Sequence, residues 1–114
     1  MMKSSKIIAE HYTWGDGCDG WHLVKTENMS VIQEKVPSGK QEVKHFHRRS
    51  NQYFFCLSGE ATLEVEGIVH TLRPREGLYV PAGKAHQLRN EGPDLLEFLV
   101  ISSPKSHGDR VDLK

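Results

Sequence analysis

The sequence predicts an all-β domain, and three observations carry that prediction. Glycine and proline interrupt the chain every eight to twelve residues or so, from GDGCDG (15–20) and PSG (37–39) through SGE (58–60) and PREG (74–77) to PAG (81–83) and EGPD (91–94). The segments between these breaks are short and rich in Val, Ile, Leu, Phe and Tyr, which suit a pleated, half-buried surface. Few stretches space their apolar residues at the helical interval. Many short strands, each closed by turn residues, make a sandwich or a small barrel.

The strands are read in order as SVIQEKV, VKHFHR, QYFFCL, ATLEVE, IVHTL, LYV, HQLRN and LEFLVIS. Successive side chains on a strand point to opposite faces, so each segment can be split into an inner and an outer set. In ATLEVE, Ala61, Leu63 and Val65 share one face, and Thr62, Glu64 and Glu66 the other. Glu66-Gly67 then turns the chain tightly into IVHTL. In LLEFLVIS the charge on Glu97 marks the outer face, which sends Leu96, Phe98, Val100 and Ser102 inward. The same alternation puts Phe54 and Cys56 inside with Gln52, and Tyr53 and Phe55 outside. The last residues, KSHGDRVDLK, are polar and read as a loosely held tail.

At 114 residues the chain has room for one core. Its 15 basic and 15 acidic residues cancel, which argues against a general nucleic-acid binder. No apolar run is long enough for a membrane span or a signal-peptide core, so a cytoplasmic location is expected. Cys18 and Cys56 are the two cysteines. Without a secretory signal both are read as free thiols, Cys56 in the core and Cys18 in a loop.

The stretch HFHRRSNQ holds the densest chemistry. His45 and His47 are two apart on a strand and point the same way, so both imidazoles can reach one metal ion. A lone His-x-His is weak evidence, but its surroundings extend it: Gly39 precedes it, Gln52 and Gly59 follow, and YVPAGKAHQLRN supplies Pro81, Gly83, His86 and Asn90. This pattern resembles the two signature motifs of the cupin superfamily, G-x5-H-x-H-x3-4-E-x6-G and G-x5-P-x-G-x2-H-x3-N, over about residues 28 to 104. Two positions depart: Gln52 replaces Glu, and Arg75 replaces the opening Gly of the second motif.

The resemblance implies a double-stranded β-helix, the small jelly-roll barrel of cupins. The whole chain, 1–114, would be one cupin domain, with the barrel core at about 28–104, an N-terminal strand and loop segment at 1–27 and a polar C-terminal tail at 105–114. It also implies His45, His47, Gln52 and His86 as metal ligands, with the first three on neighbouring strands of a hairpin and His86 on a third. Three imidazoles and an amide suit one divalent transition metal ion (Zn, Fe, Mn, Ni or Cu) better than Ca or Mg. Gln52 can alternatively hold a ligand in place without binding the metal itself.

A neutral ligand set leaves the ion's charge uncancelled, which favours Lewis-acid chemistry over oxygen chemistry. Such a set resembles that of small cupins which open unsaturated uronates, although Val100 stands where those enzymes carry an Asp. The wider pattern also resembles small cupins labelled sugar-phosphate-isomerase-like. The expected substrate pocket comprises Phe54, Cys56, Tyr79, Phe98, Val100 and Arg110. No carboxylate presents itself as a general base, which leaves water activated by the ion. The remaining histidines (11, 22, 70 and 107) are read as ordinary. Three functions follow as expectations. The first is a metal-dependent enzyme isomerising or ring-opening a small anionic carbohydrate or related acid. The second is a non-haem metal dioxygenase, and the third a non-catalytic module binding a small ligand. A homodimer is expected, because small cupins often pair and Tyr53 and Phe55 face outward.

Overall fold

The computed structural model describes residues 1–113 and contains eleven strands: β1 (Glu10–Trp14), β2 (Cys18–Lys25), β3 (Ser30–Val36), β4 (His45–His47), β5 (Asn51–Ser58), β6 (Ala61–Val65), β7 (Ile68–Leu72), β8 (Gly77–Val80), β9 (His86–Arg89), β10 (Leu96–Ser103) and β11 (Arg110–Asp112). Six of them form one sheet in the order β1-β2-β3-β10-β5-β8, and five form a second in the order β11-β4-β9-β6-β7. Every strand pairing is antiparallel. There is no helix among the described residues, and so none long and apolar enough to cross a membrane.

The two sheets close on a core to which both contribute. Leu63 and Leu88 come from the five-stranded sheet, and Val36, Phe54, Cys56, Leu96 and Phe98 from the other. The alternation read in LEFLVIS holds throughout β10: Leu96, Phe98, Val100 and Ser102 are buried, while Glu97 accepts hydrogen bonds from Lys6 and Gln33. The predicted β6–β7 hairpin also forms, with Val65 opposite Ile68. Glu66 (φ 49°) and Gly67 (φ 82°) both adopt left-handed backbone, as a two-residue type I′ turn requires.

Three expectations are corrected. His45 and His47 do not share a hairpin with Gln52, because β4 and β5 belong to different sheets. Residues 48–50 carry the chain across the barrel edge, where the Asp109 carboxylate accepts from the amides of Arg49 and Ser50 at 3.0 and 2.8 Å. The C-terminal segment is not a loose tail, since β11 pairs with β4 and sets Arg110 opposite His47. Cys18 is not a loop thiol either. The turn ends at Gly17, and Cys18 opens β2 fully buried in the core. In the N-terminal segment β1 and β2 extend the six-stranded sheet beside β3.

The two departures from the motif differ in weight. Arg75 adopts φ 71°, the left-handed conformation for which glycine is the usual residue, and its amide donates to the Cys56 carbonyl at 2.8 Å. The backbone of that turn is therefore made without the glycine. Asn90, which matches the motif, is buried and ties the β9–β10 loop to the end of β3. Its Nδ2 donates to the carbonyls of Val36 and Asp94, and its Oδ1 accepts from the Gly92 amide.

Candidate metal centre and its carboxylate wall

His45, His47 and His86 meet inside the barrel, with one ligand-capable atom from each lying within 4.8 Å of the others. β4 presents His45 and His47 on one face, and the β4–β9 pairing places His86 directly across from His45. All three are buried. The Nδ1 atoms of His45 and His86 lie 2.8 and 2.9 Å from the carbonyls of Val43 and Lys84. A carbonyl can only accept, so Nδ1 carries the proton and Nε2 keeps its lone pair. His86 Nε2 is buried without a hydrogen-bond partner, as is His47 Nδ1. Burial lowers the imidazole pKa values, His45 to about 3 and His47 to about 4, with His86 moved in the same direction. Neutral imidazole is the form that binds metals.

Gln52 faces the same space from β5. Its Nε2 donates to Ser102 Oγ at 3.0 Å, which identifies Oε1 as the remaining acceptor, and that atom is buried without a partner. Buried polar atoms left unpaired are rare and costly, roughly 1–3 kcal/mol each. Here they belong to the residue types that ligate a borderline divalent ion. The donor set therefore fits a transition metal.

His45, His47 and Gln52 line a cavity of about 280 Å³, and His86 adjoins it across from His45. Of the six expected pocket residues, Phe54, Val100 and Arg110 line it. Arg110 does so because β11 holds it on the face of its cross-strand partner His47, and its Nε is bonded to Asp112. The other three do not line it. Tyr79 is 58% exposed on β8 and sits across from Tyr53 on the outer face. Cys56 and Phe98 point inward as alternation requires, but they are 1% and 2% exposed and belong to the packed core.

The cavity also carries carboxyl groups that the sequence reading missed, Glu34 on the facing sheet and Glu42 beside His45. Glu34 on β3 and Glu42 in the β3–β4 crossing both line the cavity, together with Tyr12 and Trp14 of β1. Tyr12 Oη donates to Glu34 Oε2 at 2.8 Å. Burial pushes the Glu34 carboxyl up to about 7, against the lowering effect of the Tyr12 hydrogen bond. Burial also raises Glu42, to about 8, and the nearby Glu34 adds to this. Glu42 Oε1 accepts from the Leu88 amide at 3.0 Å, and Oε2 lies 3.8 Å from His45 Nδ1.

Gly20 makes the Tyr12–Glu34 contact possible. It sits opposite both residues in the β1–β2–β3 register, and a Cβ at that position would run into the Tyr12 ring. Glu34 left a readable signal, because SVIQEKV puts it on the same face as Ile32 and Val36. A carboxylate among inward apolar residues is a site candidate in its own right. Tyr12 left none, because its role depends on pairing with a strand far along the chain.

Comparison with known proteins agrees with this architecture. Residues 32–102 match the model of the cupin domain, and the chain belongs to the cupin family. Over 99 residues it is 29% identical to an oxidoreductase of Arthrobotrys oligospora, covering 83% of this chain and 39% of the relative. Over 59 residues it is 34% identical to quercetin 2,3-dioxygenase of Bacillus subtilis, covering 52% of this chain and 18% of that one. The chain thus spans well under half the length of these two relatives. Among solved structures, a sugar phosphate isomerase from the cupin superfamily of Silicibacter pomeroyi superposes with a TM-score of 0.81 at 18% identity, over 91% of this chain and 76% of the other. At that identity the likeness is one of fold.

Proposed function

We propose that this cupin is a metal-dependent enzyme that isomerises or ring-opens a small anionic carbohydrate or related acid. In this reading His45, His47 and His86, with Gln52 through Oε1, hold one divalent transition metal ion. The observation that carries it is the neutral donor set facing a half-buried carboxyl–phenol pair across one small cavity. The ion supplies Lewis-acid polarisation of a substrate oxygen. Glu34 moves the proton. Tyr12 fixes one carboxyl oxygen and leaves the other to take a proton from the substrate and return it at a neighbouring atom. The proton removed is the proton restored, so the reaction needs no oxidant and no second substrate. A carboxyl with a pKa near 7 suits both halves of that transfer. Phe54, Val100 and Trp14 exclude water, and Arg110 offers a cation at the rim.

The test is turnover of a panel of uronates and sugar phosphates by the protein as purified, beside Glu34→Gln and His86→Ala. Activity lost in both variants, with metal retained in Glu34→Gln, is the expected result. Full activity in Glu34→Gln removes the proton-transfer role, and no turnover of any panel member removes the reading itself. A second reading, oxygen-dependent oxidation, draws on the matches to an oxidoreductase and a dioxygenase. Substrate-dependent oxygen consumption would select it, and undiminished anaerobic activity excludes it.

We also propose a homodimer, formed through the outer face of β5 and β8. There Tyr53 stacks on Phe55 with ring centroids 6.3 Å apart, and Tyr79 extends the patch. Sedimentation as a monomer at tens of micromolar rejects it.

A further inference from the structure

A second cavity, of about 710 Å³, opens beside the first and shares Tyr12, Ile32, Ser106 and His107 with it. Its other polar lining comes from β2 and the turn that follows it (His22, Lys25, Thr26, Glu27), from Ser30 at the start of β3, and from Lys105. Two atoms here are buried without any hydrogen-bond partner: Ser30 Oγ, on a residue only 5% exposed, and His22 Nδ1. Ser30 lies directly across from Ser102. Ser102 Oγ accepts from Gln52 and makes no bond to Ser30, so the Ser30 hydroxyl has nothing in the protein to donate to.

The charged lining points to what would satisfy it. Lys25 and Lys105 bring two ammonium groups, and His107 an imidazole at the junction of the two cavities. The one carboxylate in the lining, Glu27, is already bonded to Lys105 at 2.8 Å. Lys25 has only a long pairing, 3.6 Å, with Glu10, which lies outside the cavity. Donors and cations therefore outnumber acceptors around this space. An oxyanion supplies several acceptors and a negative charge at once.

We propose that the second cavity binds the anionic end group of the substrate, a carboxylate or phosphate, with Ser30 and His22 donating to its oxygens and Lys25 and Lys105 matching its charge. The inference rests on the proposed function, in that the other end of the same molecule reacts in the first cavity. The spacing suits one small molecule. Ser30, Ile32 and Glu34 share a face of β3, so the subsite and the proton-transfer carboxyl are four residues apart, about 13 Å along a strand. Across the sheet, Ser30, Ser102 and Gln52 stand in register on β3, β10 and β5, two strand spacings or roughly 10 Å. His107 and Tyr12 border the passage between the two ends.

The test is a titration of the full chain, as purified, with inorganic phosphate and separately with acetate, followed through the amide and imidazole NMR signals of Ser30, His22 and His107. Ser30→Ala, Lys105→Gln and His86→Ala are titrated alongside. The expected result is saturable binding of at least one anion, weakened roughly tenfold or more by Ser30→Ala, the loss of one hydrogen bond to a charged group. Lys105→Gln, on an accessible side chain whose loss leaves the core intact, should weaken it less, and His86→Ala should preserve it. Saturation by phosphate alone assigns the subsite to a phosphate end group, and by acetate alone to a carboxylate. No saturation by either anion overturns the inference. Binding lost in His86→Ala but intact in Ser30→Ala and Lys105→Gln also overturns it, because the anion then sits on the metal, and the proposed function survives. Binding weakened by Ser30→Ala in a protein that turns over no sugar acid keeps the subsite and removes the proposed function.

Discussion

The two walls of the first cavity carry opposite chemistry and are built in opposite ways. The five-stranded sheet supplies two imidazoles and a guanidinium from β4 and β11, with His86 of β9 paired to His45 beside them. The six-stranded sheet supplies a phenol, a carboxyl and an amide from β1, β3 and β5. Local geometry builds most of the imidazole wall, because an i, i+2 pair on one strand and its cross-strand partner need only one pairing, His45 with His86. The carboxyl wall needs the N-terminal hairpin to dock on β3, and it needs a glycine where the Tyr12 ring passes. A ligand cluster can thus be set by a short motif, whereas an acid–base pair on the facing sheet is a product of the whole fold.

The largest expected effect breaks the imidazole wall alone. Removing a residue that merely orients a metal ligand costs about 10–100-fold in affinity, so His86→Ala, which deletes a ligand candidate, should cost at least about 100-fold. Metal analysis by mass spectrometry of tag-free protein should show near-stoichiometric metal lost in the variant, and activity abolished with it. Metal content equal to that of the unaltered protein rejects the assignment.

Breaking the other wall should leave the metal in place. Glu34→Gln is expected to lower kcat by about 10²–10⁴-fold, the usual contribution of a positioned acid–base group, at unchanged metal content. The same variant tests the titration. Glu34 rises from its ordinary value of 4.5 to about 7 in the folded chain. Since the folded pKa lies above the unfolded one, its contribution to stability is fully present below 4.5 and is lost as the pH rises through about 7. The Tm of the unaltered protein minus that of Glu34→Gln should therefore fall between those two pH values in metal-free protein. A difference that stays flat with pH rejects the shift.

Gly20→Ala sharpens the comparison without touching a reactive group. The added Cβ drives Tyr12 away from Glu34, so kcat should fall while metal content does not. Forcing a methyl group into packed structure costs about 1–3 kcal/mol, which thermal or denaturant unfolding would register. Activity equal to that of the unaltered chain means that Tyr12 does not position Glu34.

The smallest effect lies away from both walls. Left-handed backbone costs a non-glycine residue about 1–2 kcal/mol, and glycine returns roughly 0.5–1 kcal/mol of that in chain entropy. Arg75→Gly should thus stabilise the protein by about 0.5–1 kcal/mol and leave metal and turnover unaltered. A loss of stability means that the Arg75 side chain does more than occupy the turn.

Much of this architecture was legible from residue order. The turn spacing and the strand alternation were local, and β10 and the β6–β7 hairpin obey them residue by residue. The convergence of His45, His47 and His86 followed from a motif, and the Gln52 departure from it was equally plain. Alternation says which face a side chain takes, however, and not what lies opposite. Cys56 and Phe98 were correctly sent inward, but at levels of the barrel that are filled rather than open. Tyr79 lies outside because the alternation of β8 turns Val80 inward and Tyr79 to the outer face.

By itself the sequence determined an all-β chain, its strands, its cupin motifs and an imidazole cluster, because each depends on neighbours within a few residues or on one recognisable pattern. Only the tertiary structure decided that β1 and β11 complete the site from the two ends of the chain, and that Tyr12 meets Glu34. It likewise decided that His22, Ser30 and Lys105 gather around a second cavity. Those pairings join residues tens of positions apart, and sheet register, which brings them together, is set by the packing of both sheets at once.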